Sequence, residues 1–282
     1  MFNTVTVVGV GLISGSLALA LKNKQLAKHI IGVCKTKESE QKALALGLVD
    51  ECLPLETAIQ NADLIYVAIP VDVTIPIVET ILNNIQPHQI VADAGSTKLA
   101  LCKAIQNHTN RKQFVATHPM WGTENSGPQA ATMNAFTGKA CVITEKEFSD
   151  IEALKKIEAM YIALGMHLVY MNAQEHDVHT AYVSHISHIT SFALANTVLE
   201  KEKTDNNIFE LAAGGFESTV RLAKSSPQMW APIFLQNKQN VLDVLEEHIV
   251  QLQKFKQAIE HNNLEQLHQL MQHANTIKRI LQ

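Results

Sequence analysis

Through the first 171 residues, short runs of β-branched and aliphatic residues alternate with longer stretches in which apolar positions recur every three to four residues. The short runs fall at 5–8, 29–33, 64–69, 90–94 and 114–117. The helical spacing appears at 12–22, in a charged stretch at 37–46, after Val73 and at 97–107. This alternation predicts βαβ units and a doubly wound parallel sheet. Two further runs, 139–144 and 167–170, flank a helical stretch at 151–164 and predict an extension of the same sheet. After Met171 the period changes from two to 3.6: residues 173–199, 209–223 and everything from Phe234, ending in the amphipathic 264–281, predict helices alone. The predicted division is therefore an α/β domain over 1–171 and an all-α domain over 172–282. No Pro/Gly/Ser-rich linker separates them.

Composition narrows the function classes. A chain of 282 residues with 46% hydrophobic and 18% charged residues can bury a large core in two domains. Its net charge of -4 gives no general attraction to nucleic acid. Cys34, Cys52, Cys102 and Cys141 are far apart and form no CxxC pair, so neither a disulfide framework nor a zinc motif is expected. Reduced thiols, no leader ahead of the strand at 4–9 and no bilayer-length apolar stretch predict a cytoplasmic protein without a membrane partner. The apolar face at 241–259 calls for a cover, and a homodimer supplies one.

Gly9-Val10-Gly11-Leu12-Ile13-Ser14-Gly15 follows a strand and opens a helix, the context that a dinucleotide-binding turn requires. Gly9 permits a tight turn and Gly11 lets backbone approach a pyrophosphate. Leu12 and Ile13 begin the helix whose unpaired N–H groups attract it. The fold class becomes an α/β Rossmann-type doubly wound sheet. Ser14 stands at the third glycine position, where a small residue still allows close packing, with Gly15 and Ser16 beside it. At the end of the second strand the acid that usually meets the adenosine ribose is missing; Cys34, Lys35, Thr36 and Lys37 stand there instead. Two lysines and a hydroxyl suit a 2′-phosphate, which favours NADP over NAD. A solvated loop is the other reading.

Pro70 and Asp93-Ala94-Gly95-Ser96-Thr97-Lys98 follow apolar strands at the carboxyl edge, where ligands of such folds bind. This puts Pro70 at the cofactor and Ser96 near the nicotinamide, although Ser96 and Thr97 also suit a cap of the following helix. His118, at the end of the strand at 114–117, is the best base candidate: a neutral imidazole can take a proton from an alcohol as hydride leaves its carbon. His185 and His188 lie one helical turn apart, but no third ligand recurs on their face, so no metal is expected.

GVGLISGSLA at Gly9, DAGSTK at Asp93, HPMWG at His118, SHISH at Ser184 and FESTVRLA at Phe216, in this order, resemble the prephenate dehydrogenase family over nearly the whole chain; arogenate dehydrogenases share the pattern. The resemblance implies oxidative decarboxylation of prephenate to 4-hydroxyphenylpyruvate in tyrosine biosynthesis, or of arogenate to tyrosine, with NAD or NADP, and a helical domain that binds substrate and dimerises. It implies that His118 polarises the ring hydroxyl, Ser96 orients His118 and the nicotinamide, and Arg221 binds a substrate carboxylate. By the same resemblance His188 and His176 line the substrate pocket, Glu124 gates it or tunes its charge, and Trp230 sits near the neighbouring subunit. Ser14, Trp121, Ser218 and Val220 depart from the common pattern, which bears on side-chain preference and inhibitor response. The sequence leaves no room for a C-terminal regulatory or a chorismate-mutase-like segment and reads as monofunctional, with tyrosine expected to compete for the substrate site. A β-hydroxyacid dehydrogenase of similar plan would lack HPMxG and SHxxH. A non-catalytic dinucleotide sensor would have lost Ser96, His118 or Arg221.

Overall fold

A computed structural model describes residues 2–203 and 214–280. Its strands are β1 (Phe2–Val8), β2 (Ala27–Val33), β3 (Glu51–Cys52), β4 (Leu64–Val67), β5 (Ile90–Asp93), β6 (Phe114–Pro119), β7 (Ala140–Thr144) and β8 (His167–Met171). They form one sheet in the order β3-β2-β1-β4-β5-β6-β7-β8. Every pairing is parallel except β6 with β7, where His118 faces Val142. The order reverses beside β1, and that reversal opens the crevice in which doubly wound sheets bind ligands.

Helices α1 (Leu12–Asn23), α2 (Lys37–Ala45), α3 (Leu55–Gln60), α4 (Val71–Asn84), α5 (Leu99–Ile105) and α6 (Ile151–Ala163) accompany the sheet. Val5 and Val7 of β1 pack with Leu17 and Leu21 of α1 and Ile157 and Met160 of α6. Val8, Ile65 and Val67 pack on the opposite face with Val78, Ile81 and Leu82 of α4 and Leu101 and Ile105 of α5. A sheet buried on both faces explains why its strands read as continuous apolar runs. The short β3 and α3 carried no periodic signal of their own and emerge only from pairing and packing.

Helices alone follow β8 among the described residues: α7 (Ala173–Thr180), α8 (Ile186–Glu202), α9 (Gly214–Val220), α10 (Pro227–Gln236), α11 (Lys238–Glu260) and α12 (Leu264–Asn275). The helix expected over 173–199 is interrupted by a π turn at Ala181–His185. Such widened turns re-aim side chains and recur at functional sites; here His185 is turned into the interior, 1% exposed. Of the helix expected at 209–223, residues 209–213 lie outside the described residues, and the rest is α9 plus a 3-10 turn at Arg221–Lys224. The helical run expected from Phe234 breaks at Asn237, between α10 and α11.

The chain divides into two compact units between Asn237 and Lys238. The first holds the sheet together with α7 to α10, so much of the expected helical domain packs as part of the sheet-bearing unit. The second is formed by α11 and α12. It leaves Leu242, Ile249, Val250, Leu252 and Ile259 of α11 and Leu264 and Met271 of α12 exposed.

Candidate active site

The glycine turn is shaped by two contacts. Gly9 has φ +82°, and a Cβ there would lie 2.7 Å from the Ala68 carbonyl oxygen, so a side chain is excluded by both conformation and space. A Cβ on Gly11 would meet nothing within 4 Å, which leaves the backbone open to an incoming group. Ser14 is fully buried, donates to the Gly9 carbonyl and accepts from Gly11 N–H at 3.0 Å. It therefore fixes the turn from inside, while close packing against Leu48 and Ala131 falls to Gly15. The first intrahelical bond runs from Gly15 N–H to Gly11 C=O. The N–H groups of Leu12 and Ile13, in the first turn, have no partner within the helix and are the natural donors to a pyrophosphate. These residues fit a dinucleotide.

Beyond β2, Thr36 caps α2 by accepting from Ser39 N–H at 3.2 Å, and Lys37 pairs with Glu40 at 2.9 Å. Of the three polar residues expected to meet a 2′-phosphate, two are thus engaged locally, and Lys35 is exposed. Pro70 is exposed at the start of α4, past the carboxyl end of β4.

The Asp93–Lys98 segment is an internally braced loop. Lys98 and Asp93 form an ion pair with both side chains fully buried. Asp93 also accepts from Gly95 N–H at 2.9 Å and Thr117 N–H at 3.2 Å. That second bond ties the loop to the strand carrying His118. Ser96 is partly buried and makes no hydrogen bond to His118. Nor do Ser96 and Thr97 cap α5: its first N–H groups, from Lys98 and Leu99, donate to the carboxylate of Asp177 at 2.8 and 3.0 Å, and Thr97 bonds Gln236. The two oxygens of the one carboxylate take one amide each.

His118 is half-buried at the end of β6. Its Nδ1 lies 2.8 Å from Nε2 of the fully buried His176, and His176 Nδ1 lies 2.7 Å from Asp177 Oδ1. Burial, reinforced by His176 and the Lys98 charge, holds the pKa of His118 well below the ordinary histidine value of 6.5; burial also lowers His176, against the opposing pull of Asp177. Both imidazoles are neutral at neutral pH, the state a proton acceptor needs. Behind this strand, Thr117 bonds Tyr161 of α6 at 2.8 Å, and Tyr161 bonds Tyr66 of β4 at 2.9 Å, all three buried.

The SHISH segment straddles the π turn and α8. His185 Nδ1 lies 3.2 Å from Asn237 Nδ2, and burial brings its pKa down to about 4. His188 donates from Nδ1 to the Ser184 carbonyl at 3.2 Å and stacks on Trp230 with ring centroids 3.4 Å apart. Arg221 Nη1 pairs with Glu124 Oε2 at 2.6 Å, half-exposed at the guanidinium, and its charge helps to lower the pKa of His188 after burial. Trp121 packs on Phe136, and Ser218 is exposed and bonds Gly215 C=O within α9. Asp177 was missed in the sequence although its neighbour was singled out; the adjacent His-Asp pair was the available signal.

Residues 17–170 match the family model described as prephenate dehydrogenase, nucleotide-binding domain, and residues 172–273 match prephenate dehydrogenase, dimerization domain. The chain belongs to the prephenate dehydrogenase family. It is 33% identical over 270 residues to the prephenate dehydrogenase of Bacillus subtilis (strain 168), covering 95% of this chain and 73% of that one. Among solved structures it is similar to Aquifex aeolicus prephenate dehydrogenase in complex with hydroxyphenyl propionate and NAD+, with 31% identity, TM-score 0.90 and coverage of 99% and 98% of the two chains. Synechocystis arogenate dehydrogenase is also similar, with 28% identity, TM-score 0.76 and coverage of 98% and 99%. Membership in this prephenate dehydrogenase family makes the chain an NAD(P)-dependent oxidoreductase with a Rossmann-type domain followed by a helical one. Among the described residues no helix is long and apolar enough to cross a membrane.

Proposed function

We propose that this member of the family oxidatively decarboxylates prephenate to 4-hydroxyphenylpyruvate, with His118 as the base. The observation that carries the reading is the neutral, braced imidazole of His118 at the carboxyl edge of the sheet, in one compact unit with the glycine turn. Leu12 and Ile13 would hold the pyrophosphate of a dinucleotide by their N–H groups, with Gly9 and Gly11 clearing its approach and Pro70 lining the cofactor side; the bound nicotinamide would supply the hydride acceptor for the ring carbinol carbon. His118 Nε2 accepts the carbinol proton as the C–H bond breaks. The C–CO2 bond at the quaternary ring carbon then breaks, its electron pair completes the aromatic ring, and the proton returns to the phenolate oxygen. Aromatisation drives the reaction, so positioning is the main task left to the protein.

Arg221 binds a substrate carboxylate through its planar guanidinium, and Glu124 competes for the same cation. His188, held flat on Trp230, lines the pocket wall, whereas His176, fully buried with both ring nitrogens engaged by His118 and Asp177, stands behind the base and not in the wall that the resemblance implied. Ser96, free of His118, is directed in this reading to the nicotinamide or the substrate hydroxyl. The exposed apolar faces of α11 and α12 form the contact of a homodimer, in keeping with the dimerization-domain match. Lys35 selects NADP over NAD by meeting the 2′-phosphate.

The reading is tested by following reduced nicotinamide while the protein meets prephenate or arogenate, each with NAD and with NADP. Turnover with prephenate exceeding that with arogenate is expected. The similarity to an arogenate dehydrogenase makes the converse the competing result, in which the same chemistry yields tyrosine directly.

A further inference from the structure

The polar groups behind His118 form a chain with one direction. Asp177 is 3% exposed and accepts hydrogen bonds from Lys98 N–H at 2.8 Å and Leu99 N–H at 3.0 Å. These two amides fix the carboxylate in place. A carboxylate can only accept, so the 2.7 Å contact with His176 requires the proton on His176 Nδ1. In a neutral His176 the other nitrogen, Nε2, then carries a lone pair. It faces His118 Nδ1 at 2.8 Å, and His118 must donate from Nδ1. The lone pair of His118 is left on Nε2, away from His176. Asn237 donates to the Asp177 backbone carbonyl at 2.7 Å and Thr180 to that of His176 at 2.9 Å, so the helix carrying both residues is held from behind as well.

We propose that Asp177 is a positioning residue for the reaction, setting through His176 the tautomer in which His118 presents a proton-accepting Nε2 to the substrate. The inference rests on the reading of His118 as the base. It gives the fully buried His176 a role in orienting the base, in place of the substrate contact that the resemblance implied. It also explains why one carboxylate joins the loop after β5 to α7: the same group that ends the cofactor-side loop orients the base.

Asp177→Asn tests the direction of the chain. An asparagine amide can keep one backbone acceptor while donating to His176 Nδ1, which moves the His176 proton to Nε2 and forces His118 to accept at Nδ1. Nitrogen-15 histidine spectra report the tautomer directly, with the His118 signals assigned by their loss in His118→Asn. Wild-type protein is expected to carry the His118 proton on Nδ1 and Asp177→Asn on Nε2. Turnover of the variant should fall by at least about 100-fold, as carboxylate-to-amide changes behind a catalytic histidine do, with the dinucleotide KM little changed. A wild-type His118 protonated on Nε2 would overturn the proposal without need of any variant, and so would an Asp177→Asn enzyme within about threefold of wild-type turnover. Should His118→Asn itself retain turnover, the base reading fails, while the tautomer spectra still decide what Asp177 does.

Discussion

Glu124 Oε2 sits 2.6 Å from Arg221 Nη1, so the cation assigned to a substrate carboxylate is already held by a carboxylate of the same chain. A substrate carboxylate that binds this guanidinium competes with Glu124 for it. Glu124→Gln is therefore expected to lower the substrate KM severalfold with the dinucleotide KM unchanged, while Arg221→Lys, which loses the planar fork, raises it by about tenfold or more. Steady-state kinetics with each substrate varied in turn checks both. A raised substrate KM in Glu124→Gln would mean that the pair assembles the site and does not compete for it.

Burial and neighbouring His176 and Lys98 hold His118 in its neutral form to unusually low pH. A base with a lowered pKa stays competent further into acid. The kcat/KM profile for substrate should remain flat through pH 6.5, the ordinary histidine value, and bend downward only below it. An acid limb centred at or above that value contradicts the assignment.

His185 couples pH to stability. Its folded-state pKa of about 4 lies below the 6.5 of an exposed histidine, so the unfolded chain takes up the proton first as pH falls. Its contribution is complete above 6.5 and is lost progressively toward about 4, by on the order of 3 kcal/mol. Denaturant midpoints at neutral pH and about pH 5 should differ, and by less in His185→Gln. An identical decline in the variant would assign the effect to other groups.

Lys35 is the residue after β2 left to recognise a 2′-phosphate, because Thr36 caps α2 and Lys37 pairs with Glu40. Lys35→Ala is expected to raise the KM for NADP about tenfold and to leave that for NAD nearly unchanged. A wild-type enzyme that strongly prefers NAD, with no effect of the substitution, removes the 2′-phosphate reading.

The sheet was legible in the sequence because strands buried on both faces give unbroken apolar runs, and the glycine turn because Gly9 occupies a conformation and a space that no side chain can share. The π turn at Ala181–His185 was not, since one widened turn leaves apolar spacing nearly unchanged over a long helix. Ser96 and Thr97 were plausible caps by residue type. A carboxylate that is distant in sequence displaced them, and local propensity carries no information about such a partner. His118 could be singled out by its place at a strand end, but its support through His176 and Asp177 joins residues 58 apart and depends on the packing of α7 against α5.

The central claim is that His118 takes the substrate proton during hydride transfer. The measurement that tests it most directly is reduced-nicotinamide formation from prephenate by wild type and His118→Asn, with dinucleotide affinity measured on both. The account predicts turnover by wild type, its loss in the variant and nearly equal dinucleotide affinity. Turnover by the variant at a comparable rate, or none by wild type with dinucleotide bound, would contradict it.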